Sequence, residues 1–262
     1  MQISCHNIMM KLIDTHCHLD DNVFDNDRDK IINHCNQLGI NKIILPATLA
    51  KNWNRTIEIS EHYKETYLTL GLHPLFINDH EQADLDSLND FIITHKPVAV
   101  GEIGLDFFIK DTDKIKQTDF FAQQLEIAQT HNLPVILHVR KAHDEVLKIL
   151  KSLKVQGGSC HAFNGTLDQA RRYTELGFKL GFGGTMTYPN ARKIHQLAKD
   201  IAIENIILET DAPDMTGHTH KGERNSPEYL VDALNSLAEL KSIDVELIAE
   251  QTTNNAEALF NI

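Results

Sequence analysis

Ile13-Asp14-Thr15-His16-Cys17-His18-Leu19 sets two histidines two residues apart in a short apolar stretch near the start of the chain. Alternate side chains of an extended strand share a face, so both imidazoles can reach one ion while Cys17 turns away into packing. One His-x-His pair is a weak sign. It gains weight because later apolar segments carry further donors at their C-terminal ends: Glu102, His138, His161 and Asp211. Six nitrogen and oxygen donors placed this way predict a metal-dependent hydrolase.

The segments themselves set the fold. Eight short apolar runs recur, over 11–15, 42–47, 67–72, 98–103, 135–139, 158–162, 178–182 and 206–210. Most are near-continuous Val/Ile/Leu, as parallel strands covered on both faces require. Helical spacing fills the intervals. Phe120, Phe121, Leu125 and Ala128 form a stripe that His131-Asn132-Leu133-Pro134 stops. Leu167, Ala170, Tyr173 and Leu176 form another, with Gly177 at the C′ position. The tail from Pro227 to Phe260 reads as two more helices with a break near Lys241 to Asp244. Eight such alternations predict an α/β fold, a single (β/α)8 TIM barrel with additional C-terminal helices. A doubly wound sheet would need a Gly-rich turn after an early strand, and the sequence has none. The expected organisation is an N-terminal extension over residues 1–10 and one domain over 11–262.

Bulk composition narrows the setting. The 262 residues carry a formal net charge of −12, which argues against a broad basic groove for nucleic acid. A phosphate substrate stays compatible, because two bound divalent ions supply four positive charges locally. Four cysteines without a Cys-x-x-Cys pair fit free thiols in a reducing compartment. No apolar run approaches the roughly 20 residues that span a bilayer, and the first ten residues lack a secretion pattern. The expectation is a cytoplasmic protein with no membrane association and no obligate protein partner.

Six protein donors exceed what one open catalytic zinc takes, so two ions sharing a carboxylate is the economical arrangement. Glu102, from a central strand, is the natural bridge. Each donor has a plainer reading: Glu102 can pair with an arginine, and Asp211 can cap a turn. A carboxylate between apolar strand residues nevertheless needs a strong partner. His73 in Gly71-Leu72-His73-Pro74 can contact substrate or orient a ligand. Arg140, two residues after His138, can grip a phosphate or form a structural salt bridge. Asp106 and Glu209 suit the outer nitrogens of ligand histidines. In Arg224-Asn225-Ser226-Pro227, helix capping by Asn225 or Ser226 is the preferred role.

These motifs, in this order, resemble the TatD family of metal-dependent deoxyribonucleases within the amidohydrolase superfamily. Gly101-Glu102-Ile103-Gly104-Leu105-Asp106, Leu133 to Arg140, His161-Ala162-Phe163-Asn164-Gly165 and Glu209-Thr210-Asp211-Ala212-Pro213 complete the match. The resemblance implies two divalent ions per subunit (Zn, Mg or Mn) and hydrolysis of ester bonds, typically 3′–5′ cleavage of DNA. It implies that His16, His18, Glu102 and Asp211 hold one ion and that Glu102, His138 and His161 hold the other. Asp211 and Glu102 then carry the catalysis, with His73, Arg140 and Asn164 near the substrate, which would be DNA or another phosphodiester. Ala162 and Asn164 stand where the family often has Cys and Ser, and Phe107-Phe108-Ile109 lacks the usual Arg. An enzyme acting on a small amide, lactone or phosphate ester remains the alternative, with a non-catalytic metal binder as a third reading.

Overall fold

The computed structural model describes residues 10–262. The apolar runs form eight parallel strands paired in sequence order: β1 (Leu12–Asp14), β2 (Ile40–Pro46), β3 (Thr66–Leu70), β4 (Ala99–Asp106), β5 (Val135–Arg140), β6 (Gly158–Cys160), β7 (Phe178–Phe182) and β8 (Ile206–Leu208). Nine α-helices follow among the described residues: α1 (Arg28–Gln37), α2 (Trp53–His62), α3 (Gln82–His95), α4 (Lys114–His131), α5 (His143–Ser152), α6 (Leu167–Glu175), α7 (Arg192–Asp200), α8 (Leu230–Lys241) and α9 (Val245–Phe260). The architecture is a TIM barrel with C-terminal helices. Every residue of β4 is buried, as in a strand covered on both faces. The extension expected over 1–10 lies outside the described residues except Met10, which packs against the core. Among the described residues no helix is long and apolar enough to cross a membrane.

Helix ends follow the local chemistry. Asn132 takes the left-handed conformation that stops α4. Thr166 and Gln169 form a capping box at the start of α6, and Gly177 past its end has φ +83°. The break expected near 241–244 is there: Ser242 is left-handed and the Asp244 side chain caps α9.

Two expectations need correction. Glu102 is not at the end of its strand, because β4 continues to Asp106. An irregularity in the β4–β5 register between Val100 and Ile103 re-aims that stretch. Asn225 and Ser226 make no side-chain cap on the helix that follows. Asn225 instead donates to the carbonyls of Thr210 and Asp214 at 2.8 and 2.6 Å, pinning the loop after β8.

The barrel closes between β8 and β1. Thr15 N–H donates to Leu208 O at 3.0 Å, and Asp211 N–H donates to His16 O at 2.8 Å. Fully buried Asp14 fastens the seam, accepting from Thr210 Oγ1 at 2.6 Å and from the amides of Thr210 and His16 at 2.9 and 3.3 Å. Burial outweighs these bonds and raises its carboxyl to about 7. This folded value exceeds the unfolded one, so the favourable contribution is complete below about pH 4 and is lost as pH rises through 7. Asp14→Ala strands three buried donors and is expected to destabilise the fold by on the order of 3 kcal/mol, read from a denaturant midpoint.

Candidate metal centre

The chain brings all six expected donors to one mouth of the barrel. His16 and His18 lie just past the end of β1, held extended by backbone bonds to neighbouring segments, with Cys17 N–H on Ile44 O and His18 N–H on Ala212 O. Their rings are 5.1 Å apart, and Cys17 faces the core as expected. His161 follows β6 directly. Asp211 sits three residues beyond β8 with φ +58°, a conformation that Asp tolerates better than most residues.

Glu102 organises the donors into two halves. Its Oε2 faces His16 Nε2 at 3.2 Å and His18 Nε2 at 3.7 Å, and Asp211 Oδ1 lies 3.5 and 3.6 Å from the same two nitrogens. Its Oε1 faces His161 Nε2 at 2.9 Å, His138 Nδ1 at 3.2 Å and His73 Nε2 at 3.1 Å. Two donors each about 2.1 Å from one ion, at tetrahedral to octahedral angles, lie about 3.0–3.4 Å apart. Most of these spacings are close to that. His16 adds a second sign: it is fully buried, yet neither ring nitrogen has a hydrogen-bond partner, although a carboxylate oxygen is 3.2 Å away. Proximity without alignment is what two ligands of a common third atom show, and the donor set fits a divalent cation in each half.

Hydrogen bonds fix which nitrogens can serve. His18 Nδ1–H donates to Pro46 O at 3.1 Å, leaving the Nε2 lone pair for the centre. His138 Nε2–H donates to Asp106 Oδ2 at 3.2 Å, leaving Nδ1 free. His73 is the opposite case. Its Nδ1 accepts Leu75 N–H at 3.0 Å, so in the neutral ring the proton sits on Nε2, which donates to Glu102 Oε1. Although His73, Glu102 and His138 lie close enough together for a metal, His73 has no lone pair to offer. It is a hydrogen-bond donor in the cavity wall.

Crowding moves the titrations. Burial lowers His16 and His73 to about 4, keeping both neutral. At His18 burial pulls down, but Asp211 and Glu102 outweigh it and raise the ring to about 9. Glu102 and Asp211 likewise lift His161 against burial to about 10, and Asp106 and Glu102 raise His138. Burial opposes ionisation of Glu102, yet the surrounding imidazoles hold it well below the usual range. Asp211 falls to about 2 through its bond to His18. Without a metal, protons on His18 and His161 balance the carboxylates.

A second layer supports the first. Glu209 accepts Ala162 N–H at 2.5 Å and lies 3.9 Å from His161 Nδ1. Burial raises its carboxyl to about 8. Gly181 is required beside it, since a Cβ there would run into the Glu209 carboxylate. Asn164 lines the cavity, but His143 Nε2 and the Ala162 carbonyl occupy its amide at 3.3 and 3.2 Å. His143 in turn sits on the buried Tyr173 hydroxyl. Arg140 lies over the Phe108 ring. The cavity above the centre is about 810 Å³. Its walls include Asp20, Asp21, Asp214 and Met215, which no motif marked because they stand on loops without periodicity, and Arg55 on α2.

The profile of the family described as TatD related DNase matches residues 13–261. The chain belongs to the TatD family. Among TatD relatives, the uncharacterized metal-dependent hydrolase YjjV of Escherichia coli K12 is 39% identical over 97% of this chain and 100% of its own length. YabD of Bacillus subtilis, also an uncharacterized metal-dependent hydrolase, is 35% identical over 96% of this chain and 99% of its own. The crystal structure of YjjV superposes with a TM-score of 0.93 at 38% identity, covering 97% and 100% of the two chains. A TatD-family hydrolase from Entamoeba histolytica shares the fold at 22% identity, TM-score 0.85, over 95% and 98%. The chain is a metal-dependent hydrolase of this family.

Divalent-ion binding must displace protons from His18 and His161, so affinity is expected to rise with pH toward 9–10. Calorimetry in buffers of different ionisation enthalpy should count protons released near pH 7; a count of zero would contradict this electrostatic picture. The ion pairs of His18 and His161 stabilise the metal-free fold fully below about pH 6.5, and this contribution is lost as pH rises through 9 to 10.

Proposed function

We propose that the chain hydrolyses phosphoesters with two divalent ions, its substrate being DNA or a related phosphodiester attacked from a 3′ end. The observation that carries this reading is the division of Glu102: each oxygen faces its own set of donors. His16, His18, Glu102 and Asp211 would hold one ion, and Glu102, His138 and His161 the other. Bound there, the ions would acidify water toward neutral pH and draw charge from a phosphoryl oxygen.

The chain's own groups do the rest. Asp211 stays ionised at neutral pH and borders the cavity, so its carboxylate can accept a proton from attacking water. His73 presents a fixed Nε2–H, neutral at pH 7, that steadies the Glu102 carboxylate. Arg140 supplies a permanent cation on the β5 side of the mouth. Asp106 holds His138 and keeps its free nitrogen turned inward.

The test is a metal-reconstituted assay on single-stranded DNA, bis(p-nitrophenyl) phosphate, an aryl amide and a lactone. Phosphodiester hydrolysis should vanish with chelator and return with Mn²⁺, Mg²⁺ or Zn²⁺. Glu102→Gln should lower the rate by roughly a thousandfold and His73→Ala by roughly a hundredfold, with folding checked by thermal melting. Turnover of the amide or lactone alone would replace this reading with the small-substrate one.

A further inference from the structure

Arg140, the cation on the β5 side of the mouth, is paired with Phe108. The guanidinium carbon lies 3.7 Å from the centroid of the Phe108 ring, and that ring is itself 54% exposed. Among the described residues no carboxylate lies within ion-pairing distance of Arg140. Arg55, the other arginine of the cavity wall, is by contrast engaged by Asp25 and by the Asp20 carbonyl at 2.6 Å. A surface arginine without an anion ordinarily samples solvent. Stacking on an aromatic face restrains it and leaves the edge N–H groups of the fork free for a planar or tetrahedral anion. Two positions along β5 separate Arg140 from His138, about 7 Å of strand. A group bound by Arg140 therefore lies beside the reacting ester and distinct from it.

The facing wall has the opposite sign. Asp20, Asp21 and Asp214 border the cavity from the loops after β1 and β8, and none of them has an ion pair among the described residues. Asp20 only accepts the Thr56 hydroxyl at 2.6 Å, and Asp21 caps the short turn at Val23. The mouth is thus polarised, with an aromatic-backed cation over β5 and, across from it, three carboxylates without an ion pair, beside which Arg55 and Arg28 donate to the backbone carbonyls of Asp20 and Asp21. A ligand with one anion beside its ester suits this field; a ligand with anions on both sides meets like charge.

We infer that the Arg140–Phe108 pair is a subsite for a single anionic group adjoining the scissile ester, and that the Asp20, Asp21 and Asp214 wall selects against a second anion on the far side. The phosphate identity of the ligand rests on the function proposed above; the asymmetry of charge does not.

The test is binding to the metal-loaded full chain, followed by calorimetry. Thymidine 5′-monophosphate, thymidine 3′,5′-bisphosphate and a dinucleotide phosphorylated at both ends offer one, two and three anions. The bisphosphate should bind about tenfold more tightly than the monophosphate. Arg140→Gln should bring that ratio close to one, and Arg140→Lys should not restore it, since an ammonium lacks the stacked fork. Asp21→Asn with Asp214→Asn should improve the three-anion ligand several-fold relative to the bisphosphate. Succinate against propionate repeats the comparison without phosphate. An Arg140-dependent preference for succinate, with no binding of any nucleotide, would keep the subsite and remove the phosphoester reading. Equal ratios in wild type and Arg140→Gln for both ligand pairs would overturn the subsite.

Discussion

A single buried carboxylate divides the centre. Glu102 is buried inside a strand, so its charge has to be met by neighbouring side chains. Five imidazoles meet it: His16 and His18 after β1, His73 after β3, His138 on β5 and His161 after β6. That requirement explains why a barrel otherwise filled with Val, Ile and Leu tolerates so many polar groups at one end. It also explains the precise division of labour among the histidines, since each nitrogen turned toward Glu102 is set by what its other nitrogen touches.

The surrounding shell reads as a set of such settings. Pro46 O and Asp106 hold His18 and His138 with free lone pairs inward, whereas the Leu75 amide holds His73 with its proton inward. Two chemically identical side chains thereby acquire opposite capacities through one backbone contact. The outer cavity then adds direction, because Arg140 stands at the end of β5 and the carboxylates stand on the loops after β1 and β8.

Much of this was legible in the sequence, and the residues show why. The eight apolar runs gave the barrel, because parallel strands buried on both faces leave little freedom in composition. The convergence of His16, His18, His138, His161 and Asp211 was legible because each stands on or soon after the C-terminal half of a strand, where topology brings side chains to one mouth. His73 was placed in the right region with the wrong emphasis: nothing in Gly71-Leu72-His73-Pro74 says that the Leu75 amide will claim Nδ1. Glu102 was expected at a strand end, yet β4 continues past it, since register irregularities leave no compositional mark. Asn225 looked like a cap because its residue type suits one, and long-range carbonyls claimed it instead. Asp20, Asp21 and Asp214 carried no signal, for their significance lies in which loops meet across the mouth, and Phe108 was marked only for the Arg missing beside it.

The seam between the first and last strands has a broader consequence. Asp14 and Thr210 tie the barrel shut, and close by in sequence stand His16 and Asp211, whose Nε2 and Oδ1 face each other at 3.5 Å in one half of the centre. Cohesion of the scaffold and grip on a cation are therefore mechanically linked. An occupied centre cross-links both ends of the chain's circuit and adds its binding free energy to folding. Drift that loosens the joint would erode ion affinity while most of the protein stayed native, so selection on the chemistry also guards the closure.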